Sequence, residues 1–256
     1  MTHKINIITP VLNGEKHIRT AIESVLAQGN VPYEHIVVDG GSTDATVSIL
    51  KSYPHLKWIS EPDKGTGDAF NKGCRMATGD IIVMLPADDC FKPGAFEQVF
   101  KTFSEHVDCA WVAGYCGIIN DDGNEIRRWI TLYKNFLLRH HSFNLLLTEC
   151  YLSAMAVFFK TSLMSELGPF DIYATTEYAI WLSIASQHKL YVVKEYLASF
   201  RVSRGSMTGS FRNFPATRAL LAAKKYRGSH PLAFAVHYCN YLKLLVAYSI
   251  LNRLLK

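Results

Sequence analysis

Residues 5–44 read Ile5-Asn6-Ile7-Ile8-Thr9-Pro10-Val11, then Glu15 to Gln28, then His35-Ile36-Val37-Val38-Asp39-Gly40-Gly41-Ser42-Thr43-Asp44. The first run is short and apolar on both faces, which predicts a buried strand. In the second, Ile18, Ala21, Ile22, Val25 and Leu26 recur at helical spacing. The third repeats the buried-strand pattern and ends in a Gly-Gly turn, with Ser42 or Thr43 able to cap a helix running to about Tyr53. Strand, helix, strand, helix, with both strands apolar throughout, predicts an α/β fold: a mostly parallel sheet with helices on both faces.

Working outward, the pattern continues. Leu56 to Ser60 and Asp80 to Leu85 read as strands, and Gly67 to Ala77 and Pro93 to Phe103 as helices. Cys109 to Ile119 reads as a strand, with Asp121-Asp122-Gly123 as a hairpin turn. Beyond it, helices are expected over Leu132–Leu147 and Thr175–Gln187, the latter with a Thr cap. Strands are expected over Ala154–Phe159, Leu190–Val193 and Ala198–Val202. Arg204 to Ser210 reads as a Gly/Ser loop, and Ala216–Tyr226 and Leu232–Leu255 as helices.

Composition bounds the rest. The 256 residues are 49% apolar and 19% charged, which excludes a mainly disordered chain. A chain of this size buries roughly 70–75% of its unfolded surface and needs no staple. Met1 to Asn6 predicts no signal peptide, and no apolar stretch is long enough to predict a spanning helix. The six cysteines form no CxxC pair, so reduced thiols in a cytoplasmic chain are expected. The ten histidines show no HxxxH or HExxH spacing, and Gly65-Thr66-Gly67 is not a dinucleotide fingerprint. Charge is segregated: residues 1–195 sum to −5, and the 61 residues after Glu195 hold ten Lys+Arg and no acid. Such a block points to an anionic neighbour, such as ligand phosphates or an anionic membrane surface. Nucleic acid is not expected, because no recognised module interleaves aromatics with the basic residues. Trp111, Trp129 and Trp181 read as core, and His140-His141 as an exposed pair on a polar helix face.

In open parallel sheets, ligands bind beyond the carboxyl ends of the strands. Here those ends carry Asn13, then Asp39 and Asp44, then Asp63 and Lys64, then Asp88-Asp89. Acids gathered at one edge repel one another unless a cation or sugar hydroxyls sit among them. The bland alternative for Asp88-Asp89 is a cap for the helix near Pro93, which needs only one of them.

Six blocks then carry a resemblance: Thr9-Pro10-Val11-Leu12-Asn13, Val37 to Asp44, Ser60-Glu61-Pro62-Asp63-Lys64-Gly65, Asp68 to Gly73, Ala77-Thr78-Gly79-Asp80 and Leu85-Pro86-Ala87-Asp88-Asp89. In order and spacing they resemble the family 2 glycosyltransferases of GT-A fold, specifically those of bacterial surface polysaccharide assembly. The likeness is dense over residues 5–125 and weaker to about 210. It implies a GT-A domain over 1–210, with its nucleotide part to about 115 and its acceptor part from 116, followed by a basic helical extension over 211–256. It implies that Asp39 contacts the base beside the backbone of Thr9 and Val11. Asp63, Lys64 and Asp68 would line the nucleotide pocket, and Asp88 would bind ribose. Asp89 would hold Mn²⁺ or Mg²⁺, Glu177 would be the general base, and Arg201 and Arg204 would close over the diphosphate. Asp171 falls in the family's Gly-Gly-Phe-Asp turn. Phe70 stands where many relatives carry Arg, which implies a different phosphate or base contact.

Chemistry fits those roles. A metal or Arg stabilises a leaving diphosphate. One carboxylate can take the acceptor's proton, and a single displacement inverts the anomeric centre. The implied partners are a nucleotide sugar, UDP-linked by default, and a saccharide or lipid-linked acceptor. The tail over 212–256 would meet an anionic membrane on its inner face, and a homo-oligomer is compatible with the sequence. The alternative from another class is a degenerate relative that binds the nucleotide sugar without transferring it.

Overall fold

The computed structural model describes residues 3–168, 177–203 and 214–254. Strands β1 (Ile5–Val11), β2 (Tyr33–Asp39), β3 (Lys57–Ser60) and β4 (Ile81–Met84) alternate with helices α1 (Ile18–Leu26), α2 (Thr46–Lys51) and α3 (Thr66–Met76). Then come β5 (Cys90–Phe91), α4 (Ala95–Glu105), β6 (Trp111–Ile119), α5 (Arg128–Arg139) and α6 (Phe143–Thr148). A 3-10 turn (Ala154–Ala156) leads to β7 (Val157–Lys160), α7 (Ser162–Leu167), α8 (Glu177–Ala185), β8 (Leu190–Arg201), α9 (Phe214–Lys224) and α10 (Pro231–Leu254). The strands form one sheet in the order β3-β2-β1-β4-β7-β6-β8-β5. β1 is parallel to β2 and β4, β2 to β3, and β6 to β8. β7 runs antiparallel to β4 and β6, and β5 antiparallel to β8.

Period-two alternation splits the core between two faces. Ile5, Ile7, Ile81 and Val83 face α1 and α4, meeting Ala21, Val25, Phe96 and Val99. Ile8, Ile82 and Met84 face the other side, with Phe70 of α3, Leu138 of α5, Leu147 of α6 and Leu182 of α8. The expected α/β architecture with helices on both faces is therefore present. Gly73 lets α3 lie close to β1, since a Cβ there would meet Ile8 Cγ2 at 2.4 Å. α10 packs on α6 and α9 on α8, and fully buried Ala223 joins the same core.

Three expectations need correction. Residues 190–201 form one continuous strand, not two. Lys194-Glu195-Tyr196 is exposed and breaks the apolar pattern, while the ladder to β6 shifts register there. Gly114 makes room at that bulge, because a Cβ would meet Leu197 at 2.4 Å. The helix expected over 132–147 is two helices, the second capped by Ser142, whose Oγ accepts from Leu145 N at 3.1 Å. β5 was not predicted, because two residues carry no periodicity. Asp171, Thr175 and the 204–210 loop lie outside the described residues.

Candidate active site

The site is built at the carboxyl edge, where β1 and β4 lie side by side and their connections leave in opposite directions. Beyond β1 the backbone enters the left-handed region at Asn13 (φ 51°), a conformation Asn tolerates. Asn13 then latches to the β2 loop. Its N–H donates to Ser42 Oγ at 2.7 Å, and its Oδ1 accepts from Thr43 N at 2.9 Å. Gly14 N donates to Thr46 Oγ1 at 2.9 Å. Glu15 N donates to Asp44 Oδ2 at 3.0 Å, and Ala45 N returns a bond to Glu15 Oε2 at 2.9 Å. Asp44 is thus part of this brace. Sequence reading did not single out Asn13 and Glu15 for it; polar residues facing each other after adjacent strands were the available signal.

Asp39 ends β2 fully buried. Its Oδ2 accepts from Gly41 N at 3.2 Å, Ser42 N at 3.0 Å and Ser60 Oγ at 2.6 Å, and Oδ1 accepts from Ser42 Oγ. Four donors from its own loops occupy the carboxylate, so Asp39 organises the turn. Thr9 is also buried and pairs through Oγ1 with His35 Nε2 at 2.9 Å. Burial holds that imidazole neutral, near 3. Val11 O accepts from Gly40 N at 2.8 Å. Gly40 in turn leaves space for Asp63, whose Oδ2 would lie 2.5 Å from a Cβ there. Asp63 Oδ1 accepts from Gly65 N at 2.7 Å, and Asp68 Oδ2 accepts from Lys64 N at 3.1 Å. Lys64 is exposed.

The Asp88-Asp89 pair does not cap a helix. Asp89 is 1% exposed. Its Oδ1 accepts from Arg201 N at 2.7 Å, while its Oδ2, fully buried, has no partner among the described residues. Burial, and then the neighbouring charge of Asp88, raise its pKa well above the usual range. Burial also raises Asp88, opposed by His17 and Arg201. An orphaned carboxylate oxygen beside a second acid suits a hard divalent cation. Among the described residues no group of three or more His, Cys, Asp or Glu gathers to hold one. The donor set therefore fits an ion that takes most of its ligands from water or phosphates, as Mg²⁺ and Mn²⁺ do.

Arg201, expected over the diphosphate, ends β8 beside the Asp88-Asp89 pair. It is 3% exposed. Nε donates to Asp88 O at 2.7 Å, and Nη1 donates to Asn120 O at 2.7 Å and Asp121 O at 2.9 Å. The guanidinium thus clamps the Asp88 loop to the β6 turn. Arg204 lies outside the described residues. Asp121 extends the clamp, taking Lys16 Nζ at 2.8 Å, His17 Nε2 at 3.1 Å and Ser203 Oγ at 2.5 Å. Lys16 and Ser203 hold its carboxyl far below the usual range. Phe70, expected near phosphate or base, is a core side chain at 1% exposure.

Glu177 is half-buried and opens α8. Its neighbour Tyr178 fixes that turn: the hydroxyl donates to the Leu146 and Leu147 carbonyls at 3.0 Å, and its ring stacks on His237. Glu177 hydrogen-bonds to none of the acids above among the described residues. Trp111 and Trp181 are core and stack on each other. Trp129 is not core: it is 85% exposed. His141 also departs from expectation, turned inward to Tyr151 Oη at 2.7 Å and pushed down by burial to about 4.

With that geometry in view, the family model of glycosyl transferase family 2 matches residues 6–165 of the chain. The chain belongs to glycosyl transferase family 2. Curated relatives of this family include an uncharacterized glycosyltransferase of Rickettsia felis, 28% identical over 80% of this chain and 34% of its own length. Another is the putative teichuronic acid biosynthesis glycosyltransferase TuaG of Bacillus subtilis, 24% identical over 80% of this chain and 82% of its own. The chain spans about a third of the length of the first curated relatives it matches. Among solved structures, S. aureus TarS 1–349 in complex with UDP-GlcNAc superposes with a TM-score of 0.70 at 16% identity, covering 92% of this chain and 71% of that one. The mannosyltransferase PcManGT of Pyrobaculum calidifontis, in complex with GDP-Man and Mn²⁺, gives 0.69 at 19% identity, covering 97% and 74%. The fold is therefore GT-A, as the sequence implied.

Proposed function

We propose that this glycosyltransferase moves a sugar, with inversion, from a nucleotide diphosphate sugar to a saccharide or lipid-linked acceptor in polysaccharide assembly. UDP is the default carrier. The observation that carries the reading is the buried, unpartnered Oδ2 of Asp89 at the carboxyl edge, next to Asp88. The nucleotide-sugar complexes of TarS and PcManGT, the Mn²⁺ of the latter, and the biosynthetic role in TuaG's name support it. Asp89, with Asp88 beside it, would hold the divalent cation, which when bound neutralises charge on a leaving diphosphate. Asp63, Lys64 and Asp68 would border the nucleotide, the Asp39 turn with Thr9 and Val11 would receive the base, and Asp88 would meet ribose. The Arg201 clamp keeps Asp88 and Asp89 aligned, and Glu177 would take the acceptor's proton. Residues 1–210 would act as the transferase domain and 211–256 as its helical extension, working in the cytoplasm near the inner face of the membrane. Among the described residues no helix is long and apolar enough to cross a membrane.

The test is calorimetric binding of UDP, GDP, dTDP and CMP, each with and without Mn²⁺. Metal-dependent binding of one diphosphate, lost in Asp89→Asn, is expected. No binding of any nucleotide under either condition overturns the proposal. Glu177→Gln should retain donor affinity and lower kcat by about 10²–10⁴; unchanged turnover would remove Glu177 as the base and leave the donor site standing.

A further inference from the structure

A helix on a water-exposed surface normally turns its polar stripe outward. α5 does the reverse. Thr131, Asn135, Leu137 and Leu138 are buried against the body. The outward ridge is Trp129, Leu132, Tyr133 and Phe136, which are 85%, 46%, 50% and 60% exposed. These positions recur at i, i+3, i+4 and i+7, so they form one continuous stripe rather than scattered apolar residues. The roll of the helix is set at its start. Arg127 sits in the left-handed region (φ 52°), and Ile126 N donates to Ile118 O at 2.8 Å, which turns the chain sharply out of the β6 turn.

Charge within α5 has one sign, with Glu125 and Glu149 beyond its ends and Glu149 accepting the hydrogen bond of the Tyr133 hydroxyl. From Ile126 to Thr148 there is no Asp or Glu, while Arg127, Arg128, Lys134 and Arg139 lie in or beside α5. Arg127, Arg128 and Arg139 are exposed. Large aromatic side chains flanked by arginines, on a helix lying along the surface, match the interface of an anionic bilayer: rings enter the headgroup region and guanidiniums meet the phosphates. Protein interfaces also use aromatic and Arg anchors, so the cationic side chains in and beside α5, with no acid between them, carry the choice of an anionic surface. The Trp/Tyr/Phe ridge with cationic flanks favours lipid.

We propose that α5 docks this chain in-plane on an anionic membrane surface, with Trp129 and Phe136 as the inserted side chains. The docking helix leaves directly from the turn whose Asn120 and Asp121 carbonyls hold Arg201 beside Asp89. The bilayer would thus lie next to the site, where an acceptor carried on a lipid is presented. The docking itself does not depend on the transferase reading, and lipid binding and nucleotide binding are measured separately.

The experiment uses the full chain with vesicles of phosphatidylcholine, alone or with about 30 mol% phosphatidylglycerol. Flotation with the anionic vesicles only is expected, together with a blue shift of tryptophan emission. Trp111 and Trp181 are buried and Trp58 is half-buried, so Trp129, the most exposed of the four, should dominate that shift. Trp129→Phe should float but lose most of the shift. Trp129→Ser with Phe136→Ser should weaken binding about tenfold or more without changing the melting temperature. Arg128→Gln with Arg139→Gln should weaken it about thirtyfold and flatten its salt dependence, as about 1 kcal/mol per basic residue implies. Absence of binding to either vesicle overturns the proposal. So does binding that survives the serine pair but is lost on Leu232→Ser with Val236→Ser, which would assign the contact to α10.

Discussion

Asp89 places an ionisable group where its charged form is disfavoured. One oxygen is bonded to Arg201 N, the other has no partner among the described residues, and the side chain is buried beside Asp88. Its pKa is raised from 3.8, so the native state holds that proton more tightly than the unfolded chain does. The associated stability is fully present below about pH 4 and is lost as pH rises through the native value. Asp89→Asn keeps the acceptor for Arg201 N and removes the buried charge. It should therefore melt higher than the wild type at pH 7–8, by about 2–4 °C for each kcal/mol relieved, and the difference should vanish near pH 4. The same variant should lose metal-dependent nucleotide binding. Calorimetric scans across pH check the first outcome, and an unchanged melting temperature at pH 8 contradicts it. His35 has the opposite pH sense: burial pushes its imidazole down to about 3, so the stability of its neutral form is present above about pH 6.5 and is lost as pH falls from there toward 3.

At the scale of elements, the site depends on loops being held to one another more than on any one strand end. The loops after β1 and β2 exchange five hydrogen bonds through Asn13, Gly14, Glu15 and Ala45. The loop after β4, the turn after β6 and the end of β8 meet at Arg201. Arg201→Lys keeps the charge but cannot place donors on three carbonyls at once. Leaving those buried acceptors unmet should cost about 2–4 kcal/mol, measured by urea unfolding. Donor affinity should fall with it, since the Asp88-Asp89 loop loses its clamp. A lysine variant with wild-type stability would mean that water satisfies those carbonyls. The Lys194-Glu195-Tyr196 bulge shows the opposite case, where an element persists through a break in its apolar pattern because β6 supplies the ladder and Gly114 the space.

For the whole molecule, the question is whether residues 211–256 fold with the body. α9 packs on α8, α10 on α6, and Ala223 is fully buried in the main core. A single cooperative unfolding transition is therefore expected. Ala223→Leu should shift that transition as a whole, by about 1–3 kcal/mol from overpacking. Two transitions, or an unmoved main one, would make the C-terminal helices a separate unit.

The alternation of buried strands with helices, and the acids at the strand ends, were legible in residues 5–89, because both follow from local periodicity and chain order. The family resemblance rested on those same blocks and gave the fold. Tertiary structure alone decided that Asp39 is occupied by its own loop, that Arg201 clamps carbonyls, and that Trp129 faces outward while His141 faces inward. It also decided that β7 runs antiparallel and that β5 exists. A side chain's identity fixes what it can bond to. Which partner lies within reach, and which face of a helix the body covers, depend on residues distant in the chain.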